Sequence, residues 1–550
     1  MEDAAGMSRY AGPRTAAQGA GPRQAAACAG VRSLPVSRRS FVVALSSAVA
    51  AAALLQLTGC GSTSASSDGA YPDSLTMVFA DAPTSLDPAV DWSGWYTGTR
   101  GLTETLVQFD EDMELAPLLA AAWENVDDLT WSIKLRSGVS FQTGRAMTPD
   151  AVKASLERSV SLSKRAALKL HLDSIEVQGD DALVIRTTEP VPTLPGELCE
   201  PVFSIVDVDE VDQNPNHAGT GPYGSDEPIT AYDSYTLDAF ADYWGGAPKV
   251  AHLVMKTVTD ANARAMGIRS GDCDVAYSIQ AADLAALRGS SGCTIVESET
   301  VRTDSVIINF RNAQLADSAV RQALSYATDR ETLCSNLLQG SLIAHGTPFP
   351  SSAACTAAVG DEAQTFDRDR AIQLLEAAGY TDADGDGYRE KDGTKLSFRL
   401  AYYASRPELP TLAAALQDAY KQIGIEIVPQ QYENISTVYY AGDFDLMLYN
   451  ATTLGNGDPA YYLGLYFKSD GSENAGAYAN AQLDAVIDAM DVEFDSDART
   501  RLAEQAQSLI LEDCPYVFIG SPTMNLVEGS RASGFVMRPV EWYGVTNEVL

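Results

Sequence analysis

With 550 residues, 45% of them hydrophobic and 20% charged, the chain can bury two or three sizeable cores. Its 74 acidic against 38 basic side chains leave a net charge of −36, which excludes a nucleic-acid partner, argues against docking on anionic lipid and reads as a solvated acidic surface. The four histidines, His171, His217, His252 and His345, are scattered and no C-x-x-C spacing occurs, so neither a resident metal nor a cofactor is expected.

Residues 1–36 are rich in Ala, Gly and Arg without a hydrophobic period; they read as an extended leader or as translation assigned upstream of a start at Met7. Ser37-Arg38-Arg39-Ser40-Phe41 then places paired arginines before the uncharged run 41–57, which falls short of the roughly 20 apolar residues a membrane span needs. The run ends in Leu57-Thr58-Gly59-Cys60, so a signal segment that is cut off is expected. This tetrapeptide resembles the lipobox of bacterial lipoproteins, which implies a diacylglycerol on the Cys60 thiol and cleavage just before it. An uncleaved anchor with an incidental cysteine is the rival reading, disfavoured because residues 61–69 form a Ser/Gly tether. The arginine pair with Phe41 resembles a twin-arginine export signal, with a Sec signal as the alternative.

Beyond the tether, helical and strand patterns alternate without an internal repeat, which predicts a mixed α/β protein. Residues 75–79 form a first strand that runs into a polar turn, 131–135 and 183–187 alternate as strands, and Thr148-Pro149-Asp150 opens a helix over 148–160. Helical spacing recurs over 320–327 and over 370–378, the latter closed by Gly379. A helix over 413–423 precedes a strand over 426–429, and helices over 481–490 and 498–511 precede a late strand over 516–520. Pro- and Gly-rich stretches at 190–201, 214–228 and 347–354 mark subdomain joins.

Three motifs hint at chemistry, and each has a plainer reading. Gly219-Thr220-Gly221-Pro222-Tyr223-Gly224 fits G-x-G-x-x-G, but a polar stretch precedes it and Pro222 removes a backbone donor that a pyrophosphate would need, so it reads as a turn. Asp382-Ala383-Asp384-Gly385-Asp386-Gly387 resembles the opening of a calcium loop, yet position twelve is Gly393 instead of a bidentate Glu, so a solvated hairpin is expected. Ser161 and Lys164 match S-x-x-K without the companion motifs of a serine acyl-transfer enzyme. Cys199, Cys273, Cys293, Cys334, Cys355 and Cys514 allow several disulfide pairings, of which 273 with 293 and 334 with 355 are expected from sequence proximity.

A series of short blocks gives the chain a family likeness. Ser85-Leu86-Asp87-Pro88 follows the first strand; Leu115-Ala116-Pro117-Leu118-Leu119-Ala120 leads through Trp123 and Leu129-Thr130-Trp131 to Leu135-Arg136-Ser137-Gly138-Val139-Ser140-Phe141. Gly219-Thr220-Gly221-Pro222-Tyr223, Asp242-Tyr243-Trp244-Gly245-Gly246 and Ser270-Gly271-Asp272-Cys273-Asp274 come next. Asn309-Phe310, Val320-Arg321-Gln322-Ala323-Leu324, Asp329-Arg330-Glu331 and Asp443-Phe444-Asp445 ahead of Gly457-Asp458-Pro459 complete it. In this order and spacing they resemble the peptide/nickel class (family 5) of solute-binding proteins that serve ABC importers.

The resemblance implies an α/β, two-lobed, periplasmic-binding-protein-like fold with an extra subdomain inserted in the first lobe and two segments crossing between lobes. On that plan residues 1–59 are the removed signal segment, 60–70 a flexible tether, 71–115 lobe I, 116–204 the inserted subdomain, 205–305 lobe I continued, 306–515 lobe II and 516–550 the return to lobe I. It also implies a monomer that encloses a solute by hinge closure and hands it to permease and ATPase subunits without chemistry. An exported hydrolase and a lipid-anchored binding protein serving a sensor stand as alternatives.

In peptide binders of this class the loop before Gly-Asp-Pro can carry an aspartate for the peptide amine and a covering tryptophan; here Gly455 and Thr452 occupy those places. The stretch 168–207, with Ser174-Ile175-Glu176-Val177 and Leu194 through Pro201, looks closer to the nickel-type branch, whose chelate is commonly gripped by an arginine, although Glu200-Pro201-Val202-Phe203 offers none. The expected solute is a peptide or a metal chelate, with the chelate placed first. Trp92, Trp95 and Tyr96 after the first strand, and Tyr402, Tyr432, Asn450, Thr452 and Thr453 in the second lobe, are the expected pocket, rings covering apolar or cationic parts and amides or hydroxyls fixing orientation. Lobe-core packing competes for Trp92 and Tyr402, and Trp131, Tyr243 and Trp244 are assigned to packing.

Overall fold

In a computed structural model that describes residues 71–290 and 292–550, the frame is built by strands β1 (Ser74–Phe79), β2 (Ala120–Asp127), β3 (Thr130–Leu135), β4 (Leu172–Gln178), β5 (Ala182–Thr187), β6 (Ser234–Ala239), β7 (His252–Thr257), β8 (Val275–Tyr277), β9 (Cys293–Glu299), β10 (Arg302–Ile308), β11 (Ser397–Tyr403), β12 (Glu426–Tyr432), β13 (Leu446–Thr452) and β14 (Tyr516–Gly529). The helices that position the site are α1 (Ser93–Thr99), α2 (Pro149–Leu162), α3 (Lys164–Leu170), α4 (Leu194–Glu197), α5 (Glu408–Lys421), α6 (Pro459–Tyr466) and α7 (Ser496–Asp513). Among the described residues no helix is long and apolar enough to cross a membrane. The leader and Cys60 lie outside the described residues.

Strands β12–β11–β13–β10–β14–β8–β1–β7–β6 form one sheet, in which β14 changes partners along its length. Its first residues pair with β10, Tyr516 opposite Ile307, and its last seven pair with β9, from Thr523 opposite Glu299 to Gly529 opposite Cys293. Between β9 and β10 the chain passes through Thr300 and Val301, and Thr300 gives both its backbone N–H (3.0 Å) and its hydroxyl (2.8 Å) to the carbonyl of Pro522. Two chain segments therefore cross side by side between the lobes, which is a hinge geometry. The late strand is longer than the sequence implies because Pro522 reads as a stop. At the crossing Pro522 contributes its carbonyl, so the missing N–H costs little.

The inserted sheet runs β2–β3–β5–β4, antiparallel throughout. Trp131, Ile133 and Leu135 alternate inward on β3 and Leu183 and Ile185 on β5, meeting Val152 and Leu156 of α2 in one apolar cluster. Helix α2 starts as its sequence dictates, with the Thr148 hydroxyl accepting from the Ala151 N–H at 3.2 Å and Pro149 in the first turn. The same cluster continues through Leu194 and Leu198 into Val306, Leu448 and Phe518 of the second lobe, while smaller clusters around Met77 and Leu253 and around Val78 and Ile268 fill the first.

The cysteines correct an expectation. All six of these cysteines are free, and four of the thiols point at separate carbonyls: Cys293 at Leu287 (3.6 Å), Cys334 at Ile519 (3.7 Å), Cys514 at Arg321 (3.6 Å) and Cys199 at Pro195 (3.5 Å). Burial pushes the Cys334 and Cys355 thiols up to about 12, so they behave as small apolar groups. Gly219 and Gly221 are packing glycines, since a Cβ on either would come within 2.1 and 2.3 Å of the carbonyls of Leu102 and Gly101. The Ser161 hydroxyl donates to the Arg158 carbonyl at 2.8 Å on an exposed helix face. In the Asp-rich loop the carboxylates of Asp382, Asp384 and Glu390 converge within 4.8 Å, and they accept N–H groups of Gly385, Gly387, Asp386 and Ala383.

Candidate functional site

β11 lies parallel to β12 and β13, so all three end at the same edge, and that edge is the crossing: Thr452 at the end of β13 is opposite Arg302 at the start of β10. The carboxyl edge of such a sheet is where open α/β folds hold ligands. Arg302 and Asp304 share one face of β10. Arg302 Nη1 donates to Asn450 Oδ1 at 3.2 Å, and Asn450 Nδ2 donates to Asp304 Oδ1 at 2.7 Å. The arginine orients the amide, because a guanidinium only donates and so must face Asn450 Oδ1. A bulge re-aims the strand here: Asp304 is opposite Gly520 but Ser305 is opposite Phe518, leaving Ile519 as the extra residue.

Asp304 is 0% exposed, and its Oδ2 has no hydrogen-bond partner. Burial, and behind it the Glu408 carboxylate at the head of α5, push Asp304 up to about 8 against the Asn450 hydrogen bond, Arg406 and Arg302. Burial also raises Glu408, opposed by its own backbone N–H, Arg406 and Arg302. Arg302 is pulled down by burial and held up by Glu541 from the carboxy-terminal segment. Arg302, Arg406, Glu408 and Glu541 are all half-buried. The result is a cluster of charges of both signs around a buried carboxylate at the carboxyl edge of the sheet. On the first-lobe side Trp95 Nε1 donates to the Glu541 carbonyl, as does the Thr99 hydroxyl at 3.1 Å, so α1 is tied to the segment that faces Arg302.

A second set of charges joins the inserted subdomain to the second lobe. Lys169 of α3 lies between Glu197 (3.0 Å) and Glu200 (3.2 Å), with its ammonium 4.6 Å above the Tyr461 ring of α6. Burial pulls Lys169 down, but Glu197, Glu200 and Tyr461 outweigh it and hold the ammonium well above its usual range. Asn456 Nδ2, from the loop after β13, donates to Glu197 Oε1 at 2.6 Å in a buried bond. Closeness is built into the backbone there: a Cβ on Gly196 would lie 2.2 Å from the Asn456 carbonyl. Asp458 of the same loop caps α6 through the Ala460 N–H (2.8 Å) and pairs with Arg499 of α7 at 2.7 and 2.6 Å, which commits it to structure.

The model of the bacterial extracellular solute-binding proteins, family 5, matches residues 114–474. The chain belongs to this family. Family members are solute-binding components of ABC importers and carry their ligand unchanged. A crystal structure described as a nickel ABC transporter from Bacillus halodurans is similar to this chain with a TM-score of 0.77 and 32% identity, covering 87% of this chain and 99% of that one. The nickel-binding protein NikA of Staphylococcus aureus is 26% identical over 491 residues, 88% of this chain and 95% of its own. The oligopeptide-binding protein AppA of Bacillus subtilis is 27% identical over 459 residues, 79% and 83% of the two chains.

Within the family 5 frame, the residues singled out from sequence divide into three groups. Asn450 bridges the clustered charges, half-buried Thr452 lies opposite Arg302, and Trp95 reaches the cluster through Glu541. Tyr402 and Tyr432 stand half-buried at the ends of β11 and β12, the Tyr432 hydroxyl donating to Gln430 Oε1 at 2.9 Å. The others have partners elsewhere. Thr453 is buried and spends its hydroxyl on the Val301 carbonyl (3.0 Å), pinning the crossing; Tyr96 hydrogen-bonds Asp81 and stacks on buried Arg100 at 5.0 Å; Trp92 lies beneath the Arg165 guanidinium at 3.8 Å. Tyr243 and Trp244 do more than pack: with Thr220 they donate to Glu104, which burial pushes up to about 6 against those bonds. Sequence reasoning missed Arg302, Asp304, Arg406, Glu408 and Glu541. The usable signal was a charge pair at i and i+2 heading the otherwise apolar strand Val306-Ile307-Ile308.

Proposed function

We propose that the chain is the lipid-anchored, monomeric solute receptor of an ABC importer that takes up a peptide or a nickel or other metal chelate of amino-acid type. The observation that carries this reading is the mixed-sign charge cluster at the crossing edge: Arg302 and Arg406 suit a carboxylate, and Asp304 and Glu408 suit an amine or a cation. Nickel- and oligopeptide-binding relatives frame the same choice. Neither solute is favoured by the 453–459 loop, where Gly455 offers no carboxylate. The Cys60 thiol holds the lipid, and residues 61–69 form the tether that keeps the receptor near its permease and raises its effective concentration there.

Two measurements test the proposal. Nickel with L-histidine, or a mixture of free tripeptides, should raise the melting temperature, since a hundredfold excess over Kd stabilises by about 2.7 kcal/mol. No shift with either probe would refute the solute class. Labelled palmitate fed to cells expressing the full chain should enter the wild type and be absent from Cys60→Ala; label retained in the variant would refute the anchor.

A further inference from the structure

Asp304 is the one carboxylate among the clustered charges that is fully buried, and half of its hydrogen-bonding capacity is unused. Oδ1 is occupied by Asn450 at 2.7 Å, whereas Oδ2 meets no donor. A buried acceptor without a partner is costly, and such atoms in folded proteins call for an explanation. Packing does not supply one. Across the sheet Asp304 faces Gly520, which has no side chain, and the neighbouring charged or titratable groups are Arg302 on its own strand, Arg406 and Glu408 beyond β11, Tyr403 on β11, and Cys334. Neither arginine donates to Asp304 among the described residues; Arg302 reaches it only through Asn450.

We infer that Asp304 Oδ2 is the acceptor for the solute's amine, the charge partner that Gly455 does not provide, while Arg302 on the same strand face receives the solute's carboxylate. This rests on the reading of the charge cluster as the solute site. It narrows the solute to a molecule presenting an amino-acid head, free at the end of a peptide or contributing N–H groups within a chelate. Opening at Thr300–Val301 and Ser521–Pro522 admits the head, and closure buries the new ion pair away from water. Burial raises Asp304, so pairing with an ammonium favours release of its proton.

The test compares wild type with Asp304→Asn, which preserves size and the oxygen facing Asn450, using isothermal titration with free and N-acetylated tripeptides, and with L-histidine plus Ni²⁺ as a further free-amine probe without an acetylated control. N-acetylation should weaken wild-type binding by about tenfold or more, and Asp304→Asn should weaken binding of the free-amine probe alike while leaving the acetylated probe unchanged. Wild-type affinity for the free tripeptides should rise between pH 6 and pH 7, as Asp304 sheds its proton more easily, and the variant should show no such rise. Equal binding of free and acetylated probes by both proteins would overturn the role of Asp304 while leaving the solute site intact. Failure of every probe on wild type would overturn the solute reading and this inference with it. A melting curve of the empty variant confirms folding, and its unchanged affinity for the acetylated probe separates a lost contact from a damaged site.

Discussion

Arg302→Met is expected to lower affinity for the solute by roughly two orders of magnitude while leaving the protein folded. Arg302 heads β10 at the crossing and is half-buried, and among the described residues its guanidinium makes one hydrogen bond, at 3.2 Å to Asn450. An arginine carries five N–H donors in a planar fork, so most of that capacity is directed at water or ligand. Truncating one partner of a desolvated charge pair in a binding site costs about 2–5 kcal/mol, and 3 kcal/mol corresponds to roughly 150-fold in Kd. The fold should survive because methionine fills similar volume and the strand's backbone pairing with β13 and β14 is untouched. Arg302→Lys keeps the charge without the fork, so its loss should fall between the two. Titration with whichever of the nickel–histidine chelate and the tripeptide mixture the wild type binds measures all three proteins. Binding by Arg302→Met at wild-type strength would remove Arg302 from the site.

Lys169→Met should have the largest effect on stability, about 3–5 kcal/mol by analogy with other broken buried ion pairs. The Lys169 ammonium is the bridge between Glu197 and Glu200, whose side chains are 5% and 9% exposed. Removing it leaves two buried carboxylates with one fewer cation, and Arg165, at 2.6 Å from Glu200, serves only one of them. Because Glu197 also accepts from Asn456 of the opposite lobe, the loss falls on the closed arrangement as well as on the inserted subdomain. Urea denaturation should show the lost stability, and the double variant Lys169→Met, Glu197→Gln should recover part of it by removing the stranded charge. A single variant as stable as wild type would show that the lysine is dispensable.

What could be read from the sequence was local. Thr148-Pro149 capping α2, the alternation of Trp131, Ile133 and Leu135, and Gly379 closing the helix that ends at Ala377 each depend on neighbours a few residues away, and each is a feature of the structure. Asn450 was also within reach, because it follows the apolar run 446–449 on a strand that leads into a Gly-rich loop. The rest of the cluster is a matter of register. Asp304 meets Asn450 only because β10 and β13 pair across 146 residues, and its direction depends on the bulge at Ile519, which no local pattern announces. Trp92 and Tyr96 show the converse. Their aromatic character suited a pocket, but Arg165 of α3 covers Trp92, and Arg100, the C-cap of α1 itself, covers Tyr96. The cysteine pairs failed for the same reason, since short separation along the chain did not bring their thiols together.

The central claim is that a two-lobed receptor closes on a solute with an amino-acid head. Mass spectrometry of the solute released from purified, denatured protein, with metal analysis of the same sample, tests it most directly. The expected result is a single amine-bearing carboxylate, a peptide or an amino-acid metal chelate, approaching one per chain. A solute with no amine, or protein yielding neither peptide nor metal after incubation with both, would contradict it.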